Sequence, residues 1–155
     1  MANSIIKRTT LIVRDMEKSS VWYQEVFGMT IYYDDEVILS GNGMAAGKKD
    51  DVTHLIILKC DDPVIGMIGL LQWVKPLWPA PEEVPTAVDY GLPTFVVDTD
   101  NIQEVYEKAL ALDTNIHSKP HEWSVRGATG DMINFIGMSL FDPDGHFFEV
   151  NQRIN

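Results

Sequence analysis

The 155-residue chain predicts an α+β fold made of two βαβββ modules. Three observations carry this. One order of elements, strand, helix, then three strands, occurs twice. A proline-rich stretch separates the two occurrences. The second ends in a hairpin, Phe141-Asp142-Pro143-Asp144-Gly145-His146-Phe147-Phe148-Glu149-Val150, whose turn chemistry is strong: proline presets φ, aspartates bond the turn backbone, and glycine accepts positive φ.

In the first half, Ile5 to Val13 is rich in β-branched residues and reads as a strand. Asp15 caps a helix over Met16 to Phe27, and Gly28 stops it. Met29 to Tyr33 is a second strand. Ser40 to Asp51, rich in Gly and Lys, is a loop. Val52 to Leu58 and Met67 to Val74 are the third and fourth strands. Residues 1–75 therefore form the first module. Pro76, Pro79, Pro81 and Pro85 interrupt regular structure over a linker at 76–90.

The second module, residues 91–155, restarts with a strand over Leu92 to Val97. Asp100 reads as the next N-cap, with Gln103 completing a capping box. Ile102, Val105, Tyr106, Ala109 and Leu110 share one helical face. Strands follow near Asn115 to His117, near Met132 to Phe141, and from Phe147 to Asn151. Matching apolar patterns sets Leu11 against Phe95, an offset of 84, and Leu70 against Phe147, an offset of 77. Repetition of this kind marks one supersecondary unit used twice, here as a single integrated domain.

Composition excludes several classes. The chain is 45% hydrophobic and 23% charged, ordinary for a globular protein. No apolar run is long enough for a membrane-spanning helix, and the N-terminus lacks the apolar core of a signal peptide. A lone cysteine, Cys60, excludes a disulfide framework and a cysteine-cluster zinc site, and the default location is cytoplasmic. Its neighbours Asp61 and Asp62 make it a poor nucleophile. The net charge of −11 argues against nucleic acid. It serves solubility first, and it also favours a cationic ligand.

Three segments carry a resemblance: Leu11-Ile12-Val13-Arg14-Asp15-Met16-Glu17-Lys18-Ser19 running to Trp22-Tyr23 and Phe27-Gly28; Phe95-Val96-Val97-Asp98; and Phe141-Asp142-Pro143-Asp144-Gly145 to Glu149. Together they resemble the vicinal oxygen chelate superfamily, which includes glyoxalase I, bleomycin-resistance proteins and extradiol dioxygenases. The resemblance covers nearly the whole chain. It implies a curled mixed sheet around a shared cavity. Function does not follow from it, because one fold hosts many activities.

The resemblance also implies where a metal would bind. Metal-dependent members place one ligand on the first strand and one on the last strand of each module. The matching positions here are Arg8, Gln72, Leu92 and Glu149. Arginine has donors but no lone pair, and leucine offers nothing. Gln72 and Glu149 alone supply too few ligands for zinc or octahedral iron. No metal or other cofactor is expected.

A carboxylate among apolar neighbours needs a cation or strong donors, so Glu149 is expected to face Arg8, directly or through one water. Residues two apart on a strand share a face. The cavity is then lined by Arg8, Thr10 and Ile12; by Leu70, Gln72 and Val74; by Leu92, Thr94 and Val96; and by Phe147, Glu149 and Asn151. Trp73, Trp78, Trp123, Met67 and Met138 are candidate rim contacts.

Two functions compete. One is a metal-independent small-molecule binding protein of the glyoxalase/bleomycin-resistance type, its ligand aromatic or cationic. The alternative is a glyoxalase-like lyase or isomerase, or a ring-cleaving dioxygenase, with a non-standard metal site and Glu149 as catalytic residue. A homodimer is expected, because open sheet edges need cover.

Overall fold

A computed structural model describes residues 2–155; the opening residue of the predicted first module lies outside them. Eight strands and two helices follow the predicted order: β1 (Arg8–Ile12), α1 (Met16–Phe27), β2 (Thr30–Ile38), β3 (Val52–Lys59), β4 (Met67–Lys75), β5 (Thr94–Asp98), α2 (Ile102–Ala111), β6 (Asn115–Arg126), β7 (Met132–Phe141) and β8 (Phe147–Arg153). The chain divides into two units, one ending at Glu82 and the other Glu83–Asn155. Each is a βαβββ module. The first sheet has the order β1-β4-β3-β2, the second β5-β8-β7-β6. In each, the first strand runs parallel to the last and the other pairings are antiparallel. No helix among the described residues is long and apolar enough to cross a membrane.

Each sheet packs a helix on one face. In the first unit α1 lies on β3 and β4. Tyr23 and Val26 of the helix are buried, as are Leu11, Ile56, Leu58 and Leu70 of the sheet. In the second, α2 lies on β6, β7 and β8. It buries Ile102, Val105 and Ala109, and the sheet buries Met138, Leu140, Phe148 and Val150. Burying an apolar side chain of this size contributes about 1.5–3 kcal/mol, so the apolar periodicities of strand and helix decide which face is covered.

The helix starts differ in how legible they are. Asp15 caps α1, its carboxylate accepting from the Lys18 N–H at 3.0 Å, as expected. For α2 the cap is Asn101, accepting from the Glu104 N–H at 3.2 Å, not Asp100. Either residue can cap. Burial of Ile102 at the first helical position sets the phase and favours Asn101.

A second anchor at each helix start was not foreseen. The Gln72 amide oxygen accepts from the Met16 N–H at 3.0 Å, and its NH2 donates to the Arg14 carbonyl at 2.9 Å. The Gln152 amide oxygen accepts from the Ile102 N–H at 2.9 Å. Each glutamine, on the last strand of its module, satisfies an orphan helix donor. Gln72→Ala should cost about 1–2 kcal/mol, as loss of a partly buried cap does. Urea denaturation checks this, and an unchanged midpoint would count against the anchoring role.

These twin anchors correct the internal repeat. Gln72 matches Gln152, and Met16 matches Ile102. Leu11 pairs with Leu70 as Val97 pairs with Val150. The offset is therefore 86 on the first strands and 80 on the last, not 84 and 77. Under this register Arg8 matches Thr94, and Glu149 matches Gly69.

Candidate functional site

The face of each sheet away from its helix is the open face. In the second unit it carries Thr94, Val96 and Asp98 of β5, paired in register with Phe147, Glu149 and Asn151 of β8. Next across the sheet come Phe141, Ser139 and Gly137 of β7, then Ser118, His121 and Trp123 of β6. A cavity of 300 Å³ lies over this face, lined by Ser118, His121, Trp123, Gly137, Ser139, Phe147, Glu149 and Asn151, with the otherwise buried Met138. Its volume falls at the small end of ligand sites, which run from about 300 to 1,000 Å³.

Glu149 is held in this cavity by a directed chain of hydrogen bonds. The Trp123 indole N–H donates to Asn151 Oδ1 at 3.1 Å. Asn151 Nδ2 then donates to Glu149 Oε1 at 3.1 Å. The order is forced, because an indole nitrogen only donates and a carboxylate only accepts. Asn151 is buried and Glu149 half-buried. The donor facing Glu149 within its own sheet is thus a neutral amide. Trp123 stacks on Phe135, ring centroids 4.9 Å apart. Phe147 meets Phe141 edge-on at 5.4 Å. Ser118 and Ser139 join their hydroxyls at 2.8 Å.

Gly137 makes this chain possible. A Cβ there would overlap the Trp123 indole nitrogen and lie 2.7 Å from Asn151 Oδ1. Only a residue without a side chain lets ring and amide meet over the strand.

The predicted residues fall into three groups. Thr94, Phe147, Glu149 and Asn151 come together on the open face of the second sheet. Arg8 and Thr10 lie on the open face of the first, where Thr10 Oγ1 and Arg8 Cδ cover the bare Cα of Gly69. Gln72, Val74 and Leu92 do not join either. Gln72 shares the helix side with Leu70, itself paired with Leu11, and caps α1. Val74, two residues on, shares that side and is exposed. Leu92 precedes β5 in a turn, its N–H donating to the Asp89 carbonyl at 3.1 Å. The phase of β4 differs from the expected one: Gly69, Leu71 and Trp73, not the even-numbered residues, share the face of Arg8 and Thr10.

Other candidates have structural partners. The buried Trp73 donates its indole N–H to Asp51 at 3.0 Å and stacks on Trp78 at 3.8 Å. His54 pairs with Asp34 at 2.6 Å. His146 meets Asp142 at 2.9 Å, inside the turn. Partial burial, then the neighbouring Asp61 charge, raises the Cys60 thiol above its ordinary value, which leaves little thiolate at neutral pH.

The site residues that sequence reasoning did not place are Ser118, His121, Gly137 and Ser139. Alternation along β7 identifies the face of Gly137 and Ser139 once Glu149 is assigned. On β6 alternation fails. Ser118 opposes Ser139 and His121 opposes Gly137, so three steps on β6 match two on β7. The extra residue is a bulge beside Pro120, which has no N–H for the ladder.

Metal fit follows from the corrected repeat. The first-strand and last-strand positions are Arg8 and Gly69 in the first unit, and Thr94 and Glu149 in the second. The first pair offers a fixed cation and no side chain, the second one hydroxyl and one carboxylate. Neither pair fits a divalent metal. Among the described residues, no three His, Cys, Asp or Glu side chains gather into a possible metal site.

Comparison with known proteins agrees with the architecture. The family model of the Glyoxalase/Bleomycin resistance protein/Dioxygenase superfamily matches residues 5–150. The chain belongs to that superfamily. A search of curated proteins finds no match. Among solved structures, the fold is similar to a glyoxalase family protein from Bacillus cereus, with a TM-score of 0.75, 11% identity, and 100% of this chain and 99% of that one covered. It is similar to TnmS3, an antibiotic binding protein from a Streptomyces species, with a TM-score of 0.58, 17% identity and 99% of each chain covered. It is also similar to the trypanothione-dependent glyoxalase I of Leishmania major, with a TM-score of 0.62, 15% identity, and 97% of this chain and 87% of that one covered. At these identities the likeness is one of fold.

Proposed function

We propose that this protein binds a small molecule on the open face of its second module, without a resident metal, and acts in the cytoplasm as a homodimer. One observation carries the reading: Glu149, at the family's last-strand ligand position, is held by the Asn151 amide, itself fixed by the Trp123 indole, in a cavity walled by Trp123, Phe147 and His121. The repeat-related positions Arg8, Gly69 and Thr94 bring no further anionic donor. An aromatic wall with a few fixed polar groups is the usual make-up of a binding pocket. A structurally similar protein, TnmS3, is an antibiotic binding protein, which supports binding as a use of this fold. Homodimer formation is supported by the edge strand β2, where Ile31, Tyr32 and Tyr33 are exposed.

Native mass spectrometry and elemental analysis of protein purified without chelator test the absence of a resident metal and the homodimer. The expected result is a dimer mass, no stoichiometric transition metal, and either bare protein or a retained organic molecule. One zinc, iron, nickel or manganese per chain, lost in Glu149→Ala, would overturn the metal-free reading in favour of a metal-dependent lyase, isomerase or dioxygenase.

A further inference from the structure

We infer that the site selects a flat, protonated nitrogen compound over a neutral or anionic one of the same shape, and that Asn151 and Trp123 are positioning residues that set this preference through Glu149. The inference rests on the reading of the protein as a small-molecule binder and adds the chemical class of the ligand.

The argument is the direction of the hydrogen bonds. Trp123 donates to Asn151, and Asn151 donates to Glu149. The indole N–H and one N–H of the Asn151 amide both point toward the carboxylate. What the chain presents at its end is acceptor capacity: the second oxygen of Glu149. His121 adds to this. Its Nδ1 lies 3.0 Å from the Lys119 carbonyl, which can only accept, so Nδ1 carries the hydrogen. In the neutral ring Nε2 is then an acceptor. A ligand must bring the donor. If the donor is charged, the bond to Glu149 is charge-assisted and roughly twice as strong as a neutral one. An anion would meet the partly desolvated Glu149 carboxylate, and the donors left in the cavity, the second N–H of Asn151 and one hydroxyl hydrogen of the Ser118–Ser139 pair, carry no net charge to offset that repulsion. Asp98, paired in register with Asn151, adds a second carboxylate to the same face, and Arg153 at the end of β8 adds one cation beyond Asn151.

Shape follows from the walls. Trp123 and Phe147 are rigid rings, and Trp123 is fixed by its stack on Phe135 as well as by its hydrogen bond. Flat ligands gain from such rings by offset stacking, and a cation gains further from the ring face. The 300 Å³ volume suits a compact ring system better than an extended chain.

The test uses one ring in three charge states: 9-aminoacridine, a cation at neutral pH; acridine, neutral; and acridine-9-carboxylate, an anion. Calorimetric titration of the full chain at physiological ionic strength screens long-range attraction to the net charge. 9-Aminoacridine is expected to bind about tenfold more tightly than acridine, the margin of one charge-assisted bond, and the carboxylate not to bind measurably. Glu149→Gln should bring the cation-to-neutral ratio to about one while acridine still binds. Trp123→Phe keeps a ring but removes the indole donor, and should lower the ratio about threefold. Glu107→Gln, on α2, removes the same unit of charge elsewhere and should leave the ratio unchanged. Melting curves establish that each variant is folded. Equal binding of 9-aminoacridine and acridine would overturn the inference and leave the binding role intact. A ratio that Glu107→Gln lowers as much as Glu149→Gln does would overturn it too. So would failure of all three compounds to bind folded protein, an outcome that would also count against the binding role.

Discussion

Asp142→Ala is expected to be among the most destabilising single substitutions in this protein, by about 3 kcal/mol. The Asp142 side chain has no exposed surface. Its Oδ1 accepts from the backbone N–H of Asp144 at 2.9 Å and of His146 at 2.8 Å. Its Oδ2 lies 2.9 Å from His146 Nδ1. Alanine leaves two turn N–H groups without that acceptor, and each unsatisfied buried donor costs about 1–3 kcal/mol. Asp142→Asn keeps an oxygen for the two backbone N–H groups but puts an NH2 in place of Oδ2, the acceptor facing His146, so it should cost about 1 kcal/mol. Chemical denaturation followed by circular dichroism ranks the three proteins. At about 2–4 °C per kcal/mol for a chain of this length, the alanine variant should melt about 10 °C lower. Equal midpoints for the wild type and the alanine variant would show that the turn holds itself by backbone bonds alone.

The second large effect concerns Gly137. Gly137→Ala puts a methyl group where the Trp123 indole nitrogen now sits and 2.7 Å from Asn151 Oδ1. Ring and amide must separate, and the pocket loses the group that orients Glu149. Forcing an extra methyl into such a contact costs about 1–3 kcal/mol. The broken relay should show first in the indole N–H of Trp123: hydrogen exchange there should become faster than in the wild type, while the Trp73 indole, bonded to Asp51, is unaffected. Gly43→Ala is the control. A Cβ at Gly43 meets nothing within 4 Å, so stability there should hold or rise slightly. Unchanged exchange at Trp123 in Gly137→Ala would mean that the relay tolerates the methyl group and that glycine is not needed for it.

Both predictions touch the closing hairpin and the strand before it, and they show where the sequence is a sufficient guide. The Asp142 turn is local. Its residue types act on their own backbone within a few positions, and Gly145 has the positive φ of 87° that the turn requires. Asp15 caps its helix for the same reason. The two modules were legible because strand and helix periods differ, and a buried face must follow one or the other. Several boundaries slipped: β1 starts at Arg8, not Ile5, β2 runs on to Ile38 and β6 to Arg126. Asp100 yields to Asn101 as the α2 cap, where two neighbouring residues meet the local rule equally well and burial decides between them.

The site is a different matter. Glu149, Asn151, Phe147 and Thr94 were assigned to one face because they alternate on two strands in register. Trp123 was recognised only as a rim contact. Its role depends on a bulge at Pro120 that shifts β6 against β7, and on Gly137, whose contribution is a missing side chain. A strand's own period cannot carry through a bulge. Gln72 shows the converse. By type and position it resembled a ligand, yet its amide is spent on the N-terminus of α1. The sequence by itself determined the two modules, their order, the helix-facing core and the turn, since these follow from local chemistry and periodic burial. Only the tertiary structure decided the repeat offset, the face of β4 and the partner of Glu149 within its own sheet. Those depend on which strands lie side by side and in which register, and a hydrogen bond between Trp123 and Asn151 exists only once the sheet has formed.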